Sequence, residues 1–278
     1  MLRRSRRRTR AYTKANRGVE LRLRVLGSGS RGNSSAVRSG DTLILVDLGF
    51  SYRELSKRME ACGLNAGDVS AVLFTHDHSD HCSGVATFHS KHPSVPLLAN
   101  GDTADAIARR CGVDDGWTVF ENGVPFEMGN LTITAFSIPH DAADPVGYFI
   151  ESEGKSLFVG TDMGFVTANA REMFSHATCA LLESNHDPVL LEESARPITL
   201  KQRIRGRNGH LANEDAAALL LETNPPCLKH LLLGHISMEC NSAPLVRRAF
   251  SDALAKLGRD DVSLNLLEQD LPSGLFEF

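Results

Sequence analysis

Three imidazoles and two carboxylates fall within the six residues His76 to His81, and His76, His78, Asp80 and His81 are the four with ligand spacing. They follow the short apolar run 70–74, which reads as a strand. In an extended segment residues i and i+2 point the same way, so His76 and His78 can grip one ion. If the chain then turns, Asp80 and His81 face a second ion close by. Neutral imidazole and carboxylate suit zinc, and also manganese or iron. The alternative is a surface cluster of histidines that holds no metal. Packed together, such groups repel one another when protonated and leave donors unsatisfied when buried, and a metal removes both problems. The expectation is a site for two divalent metal ions, zinc first, with Mn2+ or Fe2+ also suited. Two such ions about 3.5–4 Å apart can hold a bridging water, lower its pKa towards ~7 and present a hydroxide to a substrate. Asp80 would orient that nucleophile, so no serine or cysteine nucleophile is needed.

Two other stretches bear on a phosphate-containing substrate. Lys201, Arg203, Arg205 and Arg207 alternate along 201–207. These four cations could clamp a phosphate backbone, or form a solvated charged loop. The Gly/Ser-rich stretch 27–35 could approach phosphate through backbone N–H groups, or be a plain hairpin turn.

The stretch THDHSDH after an apolar strand resembles the signature of the metallo-β-lactamase superfamily. The resemblance implies further site residues. His140, after LTITAFSIP, is similar to the third ligand of the first metal. Asp162, in FVGTDMG, is similar to the carboxylate that bridges both metals, and His235, in LLLGHIS, to the last ligand of the second. Asp47, in LILVDLG, is similar to an acid that orients a ligand histidine from behind. Each alone is a weak signal; together they stand at strand ends in the family's order. GSGSRGNSS, PHDAADPVGY, ESNHDPVLL, GHLAN and LGHISMECN extend the resemblance to the YycJ- or WalJ-like branch, from about residue 21 to the end. That branch implies an αββα four-layer sandwich, a two-metal centre and phosphodiesterase chemistry, with a 5′-to-3′ exonuclease acting on DNA. It also implies that His186 and His210 line the substrate cleft, where one donates a proton to the leaving group or binds the scissile phosphate. The alternative for both is a hydrogen bond to loop backbone.

The elements that must position these residues can be read from periodicity. Strands are expected at 21–26, 42–46, 70–74, 95–98, 117–120, 124–127, 131–138, 146–150, 156–160, 178–183, 229–233 and 262–266. Helices are expected from the Ser51–Glu54 capping box to Gly63, over 82–91, over 102–111 up to Gly112, over 214–222 capped by Asn213, and near 243–256. Segment 185–210 reads as irregular. Strands and helices mix throughout, in an α/β (more strictly α+β) pattern. That suits two mixed β-sheets packed face to face with helices outside, better than a doubly wound parallel sheet.

Of 278 residues, 42% are hydrophobic and 23% charged, near the averages for a globular chain with a sizeable core. No apolar run of about 18 residues occurs, so no membrane span is expected. The six cysteines include no C-x-x-C pair, which argues against a disulfide framework or zinc knuckle and for free thiols in a reducing compartment. Residues 1–24 carry ten basic groups and one acid, while the remaining 254 carry a net charge of −13. The opening stretch lacks the apolar middle of a secretory signal, so a cytoplasmic location is expected. Residues 1–20 are expected to be a basic, disordered extension, either an incidental tail or an arm for nucleic-acid phosphates, and 21–278 one hydrolase domain.

The function expected from all this is a metal-dependent phosphodiesterase or nuclease, with DNA favoured over RNA as the partner. A thioester or lactam hydrolase on the same fold is the first alternative. Asp162 stands where common zinc β-lactamases carry cysteine, which lowers the lactamase reading; a glyoxalase II-like enzyme shares nearly the same ligands. A non-enzymatic metal or nucleic-acid binding module is the second alternative, and it would be expected to have lost ligands. The acidic body opposes a DNA enzyme unless positive charge is concentrated at the cleft.

Overall fold

The protein was analysed as a computed structural model that describes residues 20–278. The expected basic extension, 1–20, lies outside the described residues save for Glu20.

Strands β1 (Leu21–Gly27), β2 (Ser34–Ser39) and β3 (Thr42–Val46) form an antiparallel meander. β4 (Ala71–Leu73), β5 (Leu97–Ala99) and β6 (Trp117–Val119) continue the sheet in parallel beyond β3. The second sheet repeats the plan. β7 (Phe126–Met128), β8 (Leu131–Ser137), β9 (Val146–Ser152) and β10 (Lys155–Gly160) are antiparallel, and β11 (Cys179–Glu183), β12 (His230–Gly234) and β13 (Ser263–Leu266) follow in parallel. β14 (Phe276–Glu277) returns to pair with the edge of β1, which gives each sheet seven strands.

The central strands are apolar on both sides because each sheet is covered on both faces. Leu23, Val25, Ile44, Val46 and Leu73 of the first sheet meet Ile133, Tyr148, Ile150, Leu157 and Leu181 of the second. The opposite faces carry helices. α1 (Tyr52–Ala61), α3 (Val85–Lys91) and α4 (Gly101–Cys111) cover the first sheet through Leu55, Met59, Phe88 and Ile107. The four-residue α2 (Ser79–Cys82) lies before α3. α5 (Ala168–Ser175), α8 (Asn213–Thr223) and α9 (Ala243–Leu257) cover the second sheet through Phe174, Leu219, Leu220, Val246 and Phe250. This is the four-layer αββα sandwich expected from the sequence. No helix among the described residues is long and apolar enough to cross a membrane, and none of the six cysteines is in a disulfide.

Four expectations need correction. The stretch 27–35 is not all turn: β2 begins at Ser34. Its sequence SSAVRS has little apolar pattern, and it is held as a strand by pairing on both edges. Its buried serines find partners, Ser34 Oγ donating to the Asp47 carbonyl at 2.8 Å and Ser39 Oγ meeting Ser152 Oγ of the other sheet at 2.7 Å. Segment 185–210 is not irregular throughout, because it holds α6 (Pro188–Glu193) and α7 (Ile198–Ile204). Asp187 caps α6 through Val189 N and Leu190 N, with proline at the first turn. Helix 82–91 is two helices, broken at Ser83–Gly84. Asn213 is the first residue of α8 rather than its cap. Its side chain instead accepts from Ser184 Oγ and Asn241 Nδ2, at 2.6 and 2.8 Å.

Phe250 is fully buried between α9 and the second sheet, whereas Val189 is 61% exposed. Phe250→Ala should therefore cost about 3–5 kcal/mol, and Val189→Ala should stay within about 0.5 kcal/mol. Urea midpoints of the two variants, at matched m-values, check the contrast.

Candidate metal centre

The site lies at the carboxyl ends of strands from both sheets, the edge where open sheets commonly place ligands. Asp47 follows β3, His76 follows β4, His140 follows β8, Asp162 follows β10, Glu183 ends β11 and His235 follows β12. Three of these sit in the left-handed region without being glycine: Asp47 at φ 66°, Asp162 at φ 60° and His235 at φ 51°. Such conformations cost of order 1–3 kcal/mol each and persist where the surroundings over-determine them. Here each lifts a side chain out of its strand direction towards a common centre.

His76 and His78 stand in the extended run after β4, with ring centroids 4.7 Å apart. His78 is the N-cap of α2, and the helical turn carries Asp80 and His81 back towards the same centre. The turn is held by neighbouring loops. Asn33 N donates to Asp80 O at 2.8 Å, Leu48 N to His81 O at 2.7 Å, and Gly49 N to Asn33 O at 2.9 Å. A side chain at Gly49 would put a Cβ 1.8 Å from Asp80 O, so only glycine permits this approach.

Each of five histidines has one ring nitrogen held from behind and the other aimed inward, where His81 Nε2 also meets Asn33 Nδ2. His76 Nδ1 lies 3.0 Å from Thr75 Oγ1, which itself donates to Asp47 Oδ2 at 2.9 Å. His81 Nδ1 meets Asp47 Oδ2 at 2.8 Å. His140 Nδ1 meets Gly209 O at 3.1 Å, and His78 Nε2 meets Asp141 O at 3.2 Å. His235 Nδ1 meets Glu183 Oε1 at 3.1 Å.

The inward atoms converge. Single ligand atoms of His76, His78 and His140 lie within 4.8 Å of one another, as do those of Asp80, His81 and His235. Asp162 stands between the two groups. Its Oδ2 is 3.3 Å from His81 Nε2, and its Oδ1 is 3.4 Å from His235 Nε2 and 4.0 Å from His140 Nε2. His76 Nε2, His235 Nε2 and Asp162 Oδ2 are buried without any hydrogen-bond partner. Leaving such atoms bare costs about 1–3 kcal/mol each, and divalent cations would satisfy all three together. The donor set and these orphaned atoms fit two divalent metal ions.

The electrostatics point the same way. Burial and the neighbouring imidazoles hold His76 well below its ordinary value. Burial alone would raise Asp162, but the facing His235 and His81 hold it well below the carboxylate range. Burial likewise opposes charge on His81 and His235, yet Asp47, Asp162 and Asp80 lift His81 well above its usual value. Asp162, Asp80 and Glu183 lift His235 to about 10.

Glu183 was not singled out in the sequence, although it is fully buried at the centre's edge. Its carboxylate accepts from Met163 N at 2.9 Å, Leu211 N at 3.1 Å, His210 Nδ1 at 2.8 Å and His235 Nδ1 at 3.1 Å. Against the penalty of burial, His210 and His235 hold it at about 2. An acid closing the apolar strand CALLE was the available signal. Asn33, Thr75 and Asn185 were also missed. Asn33 Nδ2 lies 3.0 Å from His81 Nε2, and Asn185 Nδ2 donates to His235 O at 2.9 Å. The 27–35 loop thus walls the site, and Ser28 Oγ accepts from His235 N at 2.9 Å.

The other expected residues divide. His210 joins the site: its ring lies 5.1 Å from that of His140 and 5.2 Å from that of His235. His186 does not line an open cleft, because it is 3% exposed and its Nδ1 is buried without a partner. Of the four cations, Lys201 is buried with its ammonium on the Glu192 carbonyl, and Arg205 pairs with Glu192 at 3.1 Å. Both reach Glu192 of α6, Lys201 from a buried position and Arg205 from an exposed one. Arg203 forms a two-pronged pair with Asp141 beside His140. Arg207 lies over the Phe165 ring at 4.8 Å and has no carboxylate partner among the described residues.

Comparison with known proteins agrees with this geometry. The profile of the family described as Beta-lactamase superfamily domain matches residues 42–236. The chain is 33% identical over 240 residues to exodeoxyribonuclease YycJ of Bacillus anthracis, covering 86% of this chain and 90% of the relative. It is 32% identical over 242 residues to exodeoxyribonuclease WalJ of Streptococcus pneumoniae, with the same two coverages of 86% and 90%. Among solved structures, the metallo-beta-lactamase fold protein YhfI from Bacillus subtilis superposes with a TM-score of 0.69 at 16% identity, over 93% of this chain and 100% of that one.

Two predictions follow from the ligand shell. The facing carboxylates hold His81 well above its usual value and His235 at about 10, and ligation requires both rings neutral. Metal uptake should therefore release protons, and apparent affinity should rise from neutral pH to about 10. Calorimetric titration with Zn2+ in two buffers of different ionisation enthalpy measures the proton count. Glu183→Gln removes the charge behind His235 and should weaken affinity for metal about 10–100-fold, read by competition with a chromophoric chelator.

Proposed function

The chain belongs to the β-lactamase superfamily, in the branch of YycJ and WalJ, and on that footing we propose that it is a metal-dependent phosphodiesterase that removes nucleotides from the 5′ end of DNA. The observation that carries this reading is the retention of a whole ligand set, His76, His78, His140, Asp162, Asp80, His81 and His235, in a chain aligned with named exodeoxyribonucleases over 86% of its length. These residues would hold two divalent cations, Zn2+ first and Mn2+ or Fe2+ as substitutes, which when bound would supply Lewis acidity at the phosphoryl oxygens and a water made nucleophilic near neutral pH.

The remaining chemistry belongs to the side chains. Asp80 Oδ2, 3.6 Å from both His81 Nε2 and His235 Nε2, faces the centre and orients the attacking oxygen. Glu183 accepts from His210 Nδ1 and so fixes the ring. His210 Nε2 makes no hydrogen bond within the described residues and is the nitrogen that meets substrate. When both ring nitrogens carry protons, Nε2–H binds a phosphoryl oxygen and gives its proton to the leaving oxygen. His140 and His78 are held rigidly by backbone carbonyls, so the reacting phosphorus meets a preorganised wall. Arg207 supplies uncommitted positive charge at the rim of an acidic body.

The test uses protein loaded with Zn2+ or Mn2+ on end-labelled DNA and RNA, single- and double-stranded, beside Asp80→Ala/His81→Ala. Metal-dependent release of 5′-terminal nucleotides from DNA is expected, and none from the double variant. His210→Ala should lower kcat by about 10²–10⁴ while metal content stays at the wild-type value. Cleavage of RNA alone would move the substrate class. Turnover of a thioester such as S-lactoylglutathione, with every nucleic acid intact, would sink the nuclease reading.

A further inference from the structure

Phe165 stands three residues after Asp162, on the loop that leads into α5, and is 37% exposed despite its size. Arg207 stands three residues before His210. Three residues reach at most about 10–11 Å, so both side chains stand at the rim of the metal centre. The Arg207 guanidinium lies over the Phe165 ring at 4.8 Å from its centroid, a planar cation on an aromatic face.

The two loops are locked together. A Cβ at Gly164 would fall 2.0 Å from the Arg207 carbonyl oxygen, so the backbones touch beside the stacked pair. Gly164 N donates to Pro139 O at 2.8 Å, next to His140, and Gly209 O is the backbone atom that meets His140 Nδ1. The Phe165–Arg207 pair is thereby held in fixed register with His140, Asp162 and His210. A cavity of about 230 Å3 adjoins Phe165, walled by the apolar Val166, Leu211 and Leu219 and by the charged Arg171, Asp215 and Glu222. A ring left partly outside the core and stacked on a cation free of carboxylates can receive another flat group.

We propose that Phe165 and Arg207 form a stacking subsite for the nucleobase next to the phosphate being cut. The proposal rests on the phosphodiesterase reading and names how that site grips its substrate. A base entering here adds a third plane to the stack while the guanidinium keeps a phosphate close. Every base has a π face, so the subsite reads the presence of a base and not its identity.

The test compares intact single-stranded DNA with the same strand lacking only the 5′-terminal base, using metal-loaded wild type, Phe165→Ala, Phe165→Tyr and Arg207→Ala. Stacking is worth about 1–3 kcal/mol per base, or about 5- to 150-fold. Phe165→Ala should lower kcat/KM on intact DNA within that range, mainly through KM, and leave the base-free strand nearly unaffected. Phe165→Tyr keeps the platform and should retain activity on both strands. Arg207→Ala should weaken both substrates through the phosphate, and intact DNA more. A terminal 2-aminopurine on a phosphorothioate-linked strand should be quenched by wild type and not by Phe165→Ala. If Phe165→Ala lowers both substrates equally and leaves the quenching unchanged, the subsite is overturned while the phosphodiesterase reading stands. If wild type cleaves no nucleic acid at all, both fall.

Discussion

A buried imidazole must have both nitrogens satisfied, and five histidines crowd one centre here. The protein engages one nitrogen of each: Thr75 for His76, the Asp141 carbonyl for His78, Asp47 for His81, the Gly209 carbonyl for His140 and Glu183 for His235. With the outer nitrogens committed, the inner ones can only converge. That constraint fixes which nitrogen each ring offers and makes the centre a place where cations belong. Asp47 shows how few groups are needed, since it accepts from Thr75 N, Thr75 Oγ1 and His81 Nδ1 together.

The sandwich exists to bring those partners to one edge. Parallel pairing puts the carboxyl ends of β3 and β4 side by side in the first sheet, and those of β10, β11 and β12 in the second. The inner faces are apolar and mutually buried, so the sheets cannot slide without exposing core. Tyr148 reaches from the second sheet to the Phe74 carbonyl at 2.5 Å and pins the start of the ligand loop. The strained backbones at Asp47, Asp162 and His235 are tolerated because core and hydrogen bonds hold them on both sides.

Charge is distributed with the same economy of partners. Most cations of the segment before His210 are committed to neighbouring acids or carbonyls, so an acidic body does not present a broad basic face. Arg203 neutralises Asp141 beside the ligands. Burial pushes Asp141 the other way, but the guanidinium keeps its carboxyl below the usual range. Arg207 lies over an aromatic ring and has no carboxylate partner among the described residues.

The amino-acid sequence by itself determined the strands that are apolar on both faces, the helices that cover them and the cluster of candidate ligands His76 to His81. These are local properties: an unbroken apolar run announces a doubly covered strand, and i, i+2 spacing announces a shared face. His140, Asp162 and His235 were legible only through resemblance, because a single strand-end residue carries no periodic signal. Strand β2 was missed because its serines are satisfied by partners distant in sequence, and α6 and α7 because six or seven residues are too few to show a helical period. Glu183 was missed because its importance lies in four donors drawn from three other segments. Equal-looking cations and histidines parted for the same reason. Lys201 and His186 sank into packing while Arg207 and His210 reached the rim. Residue type and spacing decide what a side chain can do, whereas burial and hydrogen-bond partners, which only the folded chain supplies, decide whether it is free to do it.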